Sequence, residues 1–287
     1  MNMGPVEIPR RRREDRPPRR LRGGMYILPS LFTTANLAAG YYAILQVIHA
    51  SASEPWHFDF AAKAIGFAVL FDGLDGRIAR MTKTSSDFGR ELDSLADVIT
   101  FGIAPALLAY MWGFRMLPAK LLPIGPIASF VFLLAGASRL ARFNITVNPL
   151  PSNPGRADRK YFVGMPIPAG AGVIAAVVHF SLGAPLESPV MAVTWLVLVV
   201  AVSFLMVSTW RFYSFKDIHF NTRQPFRLIV LLGAIFAAIW FYSQYVLFGI
   251  ALTYMFTGVL WRLQWIFRRR GSPPAAPSAY REASQSS

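Results

Sequence analysis

Four aspartates stand at helical spacings on either side of a short connection. Asp72 and Asp75 lie in FDGLDGRIAR, residues 71–80, and Asp93 and Asp97 lie in GRELDSLAD, residues 89–97. On a helix, Asp72, Asp75, Gly76 and Ala79 fall at i, i+3, i+4 and i+7, so two carboxylates and two small residues share one stripe. Gly89, Asp93 and Asp97 fall at i, i+4 and i+8. The connection between them is short enough to make the two helices antiparallel neighbours, and the four carboxylates are expected to converge. Unpaired, such a cluster would repel itself and cost several kcal/mol per buried charge. A divalent cation compensates, and an all-oxygen donor set suits Mg²⁺, Mn²⁺ or Ca²⁺ rather than zinc. Four carboxylates can hold two ions by sharing. Gly76 and Ala79 leave room for a flat base or a sugar, and Arg80 and Arg90 at the rim face an anionic ligand. The expected substrate is a polyanion chelated to two metal ions.

The elements that must position these residues are membrane spans. Of 287 residues, 54% are hydrophobic and only 15% charged, and the mean hydropathy is +0.40. That balance does not belong to a soluble globular chain. Apolar stretches of about 20 residues cross a bilayer core as helices. They are expected at 30–50, 59–79, 91–113, 121–141, 166–184, 188–209, 227–243 and 245–264. The fold class is therefore all-α: a polytopic helical membrane bundle of about eight transmembrane helices. The absence of cysteine excludes disulfides, thiolate metal sites, iron–sulfur clusters and cysteine nucleophiles.

A net charge of +14 and a pI near 10.6 would suggest nucleic acid on a soluble chain. Here the cations sort by side instead. Of the 29 Lys and Arg, all but Lys63, Arg115 and Lys120 fall in the two tails or in alternate connections. Lys and Arg are retained in cytoplasmic loops, so both termini and the aspartates' ends of their spans are expected on the cytoplasmic side. Nucleic acid is not an expected partner; membrane lipids are. Residues 1–24 read as a disordered basic cytoplasmic tail, residues 25–267 as a membrane-embedded catalytic domain, and residues 268–287 as a second disordered cytoplasmic tail. The N-terminal apolar stretch has span length and not that of a signal-peptide core. His49, His57, His179 and His219 show no metal-ligand spacing and read as incidental. Trp210, Trp261 and Trp265 near span ends suit an interfacial aromatic belt.

The pattern D-x2-D-G-x2-A-R-x8-G-x3-D-x3-D, met by Asp72, Asp75, Gly76, Ala79, Arg80, Gly89, Asp93 and Asp97, resembles the signature of the CDP-alcohol phosphotransferases. The resemblance implies an integral-membrane enzyme with a six-helix catalytic core. Such an enzyme transfers a phosphatidyl group from CDP-diacylglycerol to an alcohol and releases CMP. It further implies Mg²⁺ or Mn²⁺ as two divalent ions on Asp72, Asp75, Asp93 and Asp97, with Asp97 also the general base. Thr33, Gly76, Ala79, Arg80, Ser86 and Gly89 would contact the CDP-lipid. A homodimer in the cell (inner) membrane, with its site facing the cytoplasm, completes what the resemblance implies.

The segments RLARFN (139–144), GMPIP (164–168), MVSTWRFYSFK (206–216) and LPSLFTTANL (28–37) are similar to the phosphatidylserine synthase branch of that family. One departure is Ser30, where that branch commonly has asparagine. L-Serine is then the expected acceptor. Arg139, Arg142, Asn144, Arg211 and Lys216 are candidates for its carboxylate and for phosphate, and Asp217 for its ammonium. Two rivals stand beside this. The same transfer to glycerol 3-phosphate or an inositol phosphate would require an extra basic pocket. A cation-binding transporter would place carboxylates nearer mid-membrane, often in paired halves.

Overall fold

The structure is a computed structural model describing residues 27–51, 53–82, 87–147, 161–213 and 225–269. The chain runs α1 (Ile27–His49), α2 (Trp56–Thr82), α3 (Asp87–Asp97), a π-helical turn (Val98–Ile103), α4 (Ala104–Trp112), α5 (Ile124–Val147), β1 (Tyr161–Val163), α6 (Ile167–Phe180), α7 (Pro189–Val207), β2 (Arg211–Tyr213) and α8 (Pro225–Arg269). Both expected disordered tails lie almost wholly outside the described residues.

The helical bundle expected from hydropathy is present, with two refinements. The third span is one rod, α3 through α4, interrupted by the π turn. Val98, Ile99 and Thr100 are β-branched and Gly102 follows, a local composition that weakens an α-helical ladder. The expected spans at 227–243 and 245–264 are a single element, α8, whose helix is broken only at Tyr242 (φ −134°, ψ 37°). No glycine or proline lies between the two apolar stretches to open a loop, so the polypeptide breaks at one residue. A small antiparallel ladder of β1 with β2, Tyr161 opposite Tyr213 and Val163 opposite Arg211, is the departure from an all-helical chain among the described residues.

Five described helices are long and apolar enough to cross a membrane: Leu31–His49, Phe88–Met116, Ile124–Ile145, Pro189–Val207 and Ala237–Leu260. Their outward faces are apolar, with Leu31, Leu134, Val197 and Trp240 all exposed. Exposed apolar faces of this extent fit lipid as the surrounding solvent. Inside, α4 to α7 bury Leu108, Phe132, Ile174 and Met206 completely. Polar residues are buried too: Thr33, Asn36, Asp97, Thr100 and Arg139 in one group, Asp59 and His179 in another.

The second group ties three helices together. Asp59 on α2 accepts from Lys63, 2.7 Å away, and pairs with His179 Nδ1 on α6 at 2.5 Å. His179 Nε2 lies 2.9 Å from Ser243 Oγ, one residue past the break in α8. His179 is therefore not incidental: both of its ring nitrogens are engaged. The same network gives a carboxylate partner to Lys63, one of the three cations outside the tails and alternate connections. Nearby, the indole of Trp112 donates to the Ala184 carbonyl at 2.9 Å and that of Trp195 to the Ala109 carbonyl at 3.0 Å, locking α4 against α7.

Candidate active site

Helix α2 continues through Thr82, so the stripe of Asp72, Asp75, Gly76 and Ala79 lies on helical backbone as the spacing requires. Asp93 and Asp97 occupy the last two turns of α3. Carboxylate oxygens of Asp72 on α2 and of Asp93 and Asp97 on α3 lie within 4.8 Å of one another. Asp97 is buried, Asp72 and Asp93 half-buried. The side chains of Asp75, Gly76, Ala79 and Arg80, and all of Ser86, lie outside the described residues. So does Lys216.

The cluster could hold a metal cation. Asp97 is repelled by Asp72 and Asp93 and attracted to Arg139. At 4.8 Å and an effective dielectric of about 20, one carboxylate pair repels by about 3 kcal/mol. The three carboxylates share this partly buried site with the Arg139 guanidinium, which interacts with Asp97 and Asp72. Hard oxygen donors at this separation fit Mg²⁺ or Mn²⁺. Asp72, Asp93 and Asp97 are the described residues that would hold it, with Asp75 one helical turn beyond Asp72.

Helix α1 supplies the wall behind Asp97. Asn36, 2% exposed, donates from Nδ2 to Asp97 Oδ1 at 3.3 Å. The Asn36 carbonyl in turn accepts from Thr100 Oγ1 at 3.1 Å. One turn along α1, Gly40 admits the π turn: a Cβ there would stand 2.8 Å from the Thr100 main chain. The π turn thus does more than interrupt a helix. It carries Thr100 against α1, next to the carboxylate that α1 steadies, and such turns recur at functional sites. Thr33, one turn before Asn36, is also buried.

The residues expected to meet the acceptor divide by role. Arg139 on α5 is 6% exposed, lies 5.3 Å from the centre of the Phe143 ring and interacts electrostatically with both Asp97 and Asp72. Asn144 donates to Ser94 Oγ at 2.8 Å, and Ser94 donates to the Arg90 carbonyl at 3.0 Å, so α5 braces α3 beside Asp93. Arg142 donates to the carbonyls of Val207 at 3.1 Å, Met206 at 3.4 Å and Ser208 at 3.5 Å. These are among the orphan carbonyls that end α7, so Arg142 serves as its cap. Gly164, at φ +79°, makes the close turn that brings β1 to this point, where a Cβ would meet the Met206 and Ser208 carbonyls. Gly89 lies on α3 before Asp93, and Arg211 opens β2.

Asn36 and Thr100 were not among the expected site residues. The available signal was chemical: a carboxamide inside an apolar span is costly unless it has a task.

Residues 26–187 match the family CDP-alcohol phosphatidyltransferase. A protein of Helicobacter pylori (strain ATCC 700392 / 26695) is 34% identical over 238 residues, covering 79% of this chain and 90% of that protein. One of Bacillus subtilis (strain 168) is 32% identical over 192 residues, covering 67% and 93%. One of Mycobacterium leprae (strain TN) is 34% identical over 250 residues, covering 84% and 76%. Each of these three is named CDP-diacylglycerol–serine O-phosphatidyltransferase. With carboxylates from two helices brought together and most of its length shared with such relatives, the chain belongs to the CDP-alcohol phosphatidyltransferase family.

Proposed function

We propose that this enzyme transfers a phosphatidyl group from CDP-diacylglycerol to the hydroxyl of L-serine, forming phosphatidylserine and CMP. The observation that carries the proposal is the convergence of Asp72, Asp93 and Asp97 in a chain similar over most of its length to proteins named for that reaction. Asp97 takes the proton of the serine hydroxyl. The serine oxygen then bonds to the β-phosphorus as the bond from that phosphorus to the bridging oxygen breaks, and CMP departs. When bound, two divalent cations would neutralise the pyrophosphate oxygens and the charge gathering on CMP. Asn36 holds the base in orientation, and Arg139 offsets part of the carboxylate charge. A covalent phosphatidyl-enzyme is not favoured, because no activated Ser, His or Cys lies beside the cluster among the described residues.

In this proposal the acyl chains stay in the bilayer and the nucleotide enters from the cytoplasmic face, where the positive-inside rule puts the basic connections. Both termini are cytoplasmic, the membrane is the cell (inner) membrane, and the working unit is a homodimer. Purified protein given CDP-diacylglycerol and Mn²⁺ or Mg²⁺ should release CMP with L-serine and not with glycerol 3-phosphate or inositol phosphate. CMP release independent of serine would refute the acceptor assignment. No release under any condition would favour a cation-binding transporter.

A further inference from the structure

Asn36 has a second functional group without a partner among the described residues. Its Nδ2 is committed to Asp97 and its main-chain carbonyl to Thr100. Its Oδ1 is fully buried and has no hydrogen-bond partner among the described residues. Buried acceptors of this kind are rare in folded proteins because desolvating them without a donor is unfavourable. Here the unsatisfied acceptor sits on the same carboxamide that grips the proposed base. Whatever donates to Oδ1 therefore stands beside Asp97.

The chemistry of that donor is constrained. The reacting hydroxyl has one proton and gives it to Asp97, so it has none left for Oδ1. Within the acceptor, the remaining donor is a group on the carbon next to the hydroxymethyl group. In L-serine that group is the ammonium, which has three N–H donors. Its positive charge suits a site with Asp72, Asp93 and Asp97 within 4.8 Å of one another. An amide acceptor recognises an ammonium without adding a further negative charge to the cluster. Asp217, the sequence-based candidate for this task, lies outside the described residues.

We propose that Asn36 is a specificity-determining residue with two tasks: Nδ2 orients Asp97, and Oδ1 accepts a hydrogen bond from the ammonium of the acceptor amino alcohol. This rests on serine being the acceptor, as proposed above. Steady-state assays on the full-length enzyme with CDP-diacylglycerol and Mn²⁺ would give the KM for L-serine and the Ki of 3-hydroxypropanoate, which lacks only the ammonium. They would be run on the unmodified enzyme, Asn36→Ala and Asn36→Ser, with Mn²⁺ affinity read by electron paramagnetic resonance and folding by CDP-diacylglycerol binding. The expected result is a rise of about tenfold or more in the serine KM, equivalent to about 1.4 kcal/mol, in whichever variant binds CDP-diacylglycerol normally. The Ki of 3-hydroxypropanoate should stay within about twofold, so discrimination for the ammonium collapses. An unchanged ratio with only kcat reduced would limit Asn36 to orienting Asp97 and overturn the proposal. So would a tenfold loss of Mn²⁺ affinity with the ratio intact, which would assign Oδ1 to water on the cation. Failure of the unmodified enzyme to make phosphatidylserine would instead defeat the acceptor assignment itself.

Discussion

Gly40 on α1 and Thr100 in the π turn meet so closely that any side chain at residue 40 would collide with the Thr100 main chain; an added Cβ would lie 2.8 Å from its Cα. The approach sets where α1 sits relative to α3, and hence whether Asn36 reaches Asp97. Gly40→Ala should cost about 1–3 kcal/mol of stability through overpacking. It should also lower turnover about a hundredfold, since displacements near 1 Å carry that penalty. Mn²⁺ affinity should change little, because Asp72 and Asp93 are not on α1. Full activity in a stable Gly40→Ala protein would show that the α1 contact does not control the base.

Asp97→Asn keeps shape and hydrogen-bonding capacity but removes a proton acceptor. Loss of a general base typically costs 10²- to 10⁴-fold in rate. Turnover should fall by that order while CDP-diacylglycerol binding, measured by equilibrium retention on the purified protein, stays near the original level. Retained turnover would remove Asp97 from the role of base.

The proposed mechanism expects an obligatory divalent cation. Chelation with EDTA should abolish CMP release, and Mn²⁺ or Mg²⁺ should restore it. Asp93→Asn and Asp72→Asn should each weaken Mn²⁺ binding about tenfold or more, read directly by titration without substrate. Metal-independent turnover would contradict the electrostatic account of the site.

Arg142 offers a sharper test of structure against substrate contact. Its guanidinium spans three carbonyls at the end of α7, a geometry that the single ammonium of lysine cannot reproduce. Arg142→Lys should therefore lower the unfolding temperature in detergent, at about 1–3 kcal/mol for unsatisfied carbonyls. The serine KM of the folded fraction should stay near normal. A serine KM raised tenfold with stability unchanged would give Arg142 to the substrate.

On the far side of the bundle, Asp59 joins His179 and Lys63. Removing one partner of a buried pair is costly, and Asp59→Ala should destabilise by about 3 kcal/mol, the low end of the range for such pairs because Lys63 is half exposed. Replacing Asp59 and His179 together by leucine should be less damaging than Asp59→Ala, since no buried polar group is then stranded. Thermal unfolding of the unmodified protein and these two variants decides this, and a double replacement as damaging as Asp59→Ala would refute it.

Much of the site was legible in one dimension. The spacing from Asp72 to Asp97 places carboxylates on helical stripes, and the π turn that follows Asp97 leaves those stripes undisturbed because it begins only at Val98. Less was legible around it. The histidines carry no spacing signal, yet His179 bridges Asp59 and Ser243 across 120 and 64 residues. Arg142 looked like a ligand for an anion because a charged residue at a span end resembles a binding group. Its observed partners are main-chain carbonyls, which no side-chain pattern reveals.

By itself the sequence determined the properties that depend on near neighbours: which stretches prefer lipid, how the cations sort between alternate connections, and which faces of α2 and α3 carry aspartates. Those follow from transfer free energies and from 3.6 residues per turn, both readable locally. Only the tertiary structure decided that Asn36 grips Asp97 across 61 residues and buries its side-chain Oδ1 without a partner among the described residues. That outcome depends on the rotation and approach of two helices. Close packing at Gly40 and the extra residue of the π turn set both, and neither can be computed from one helix alone.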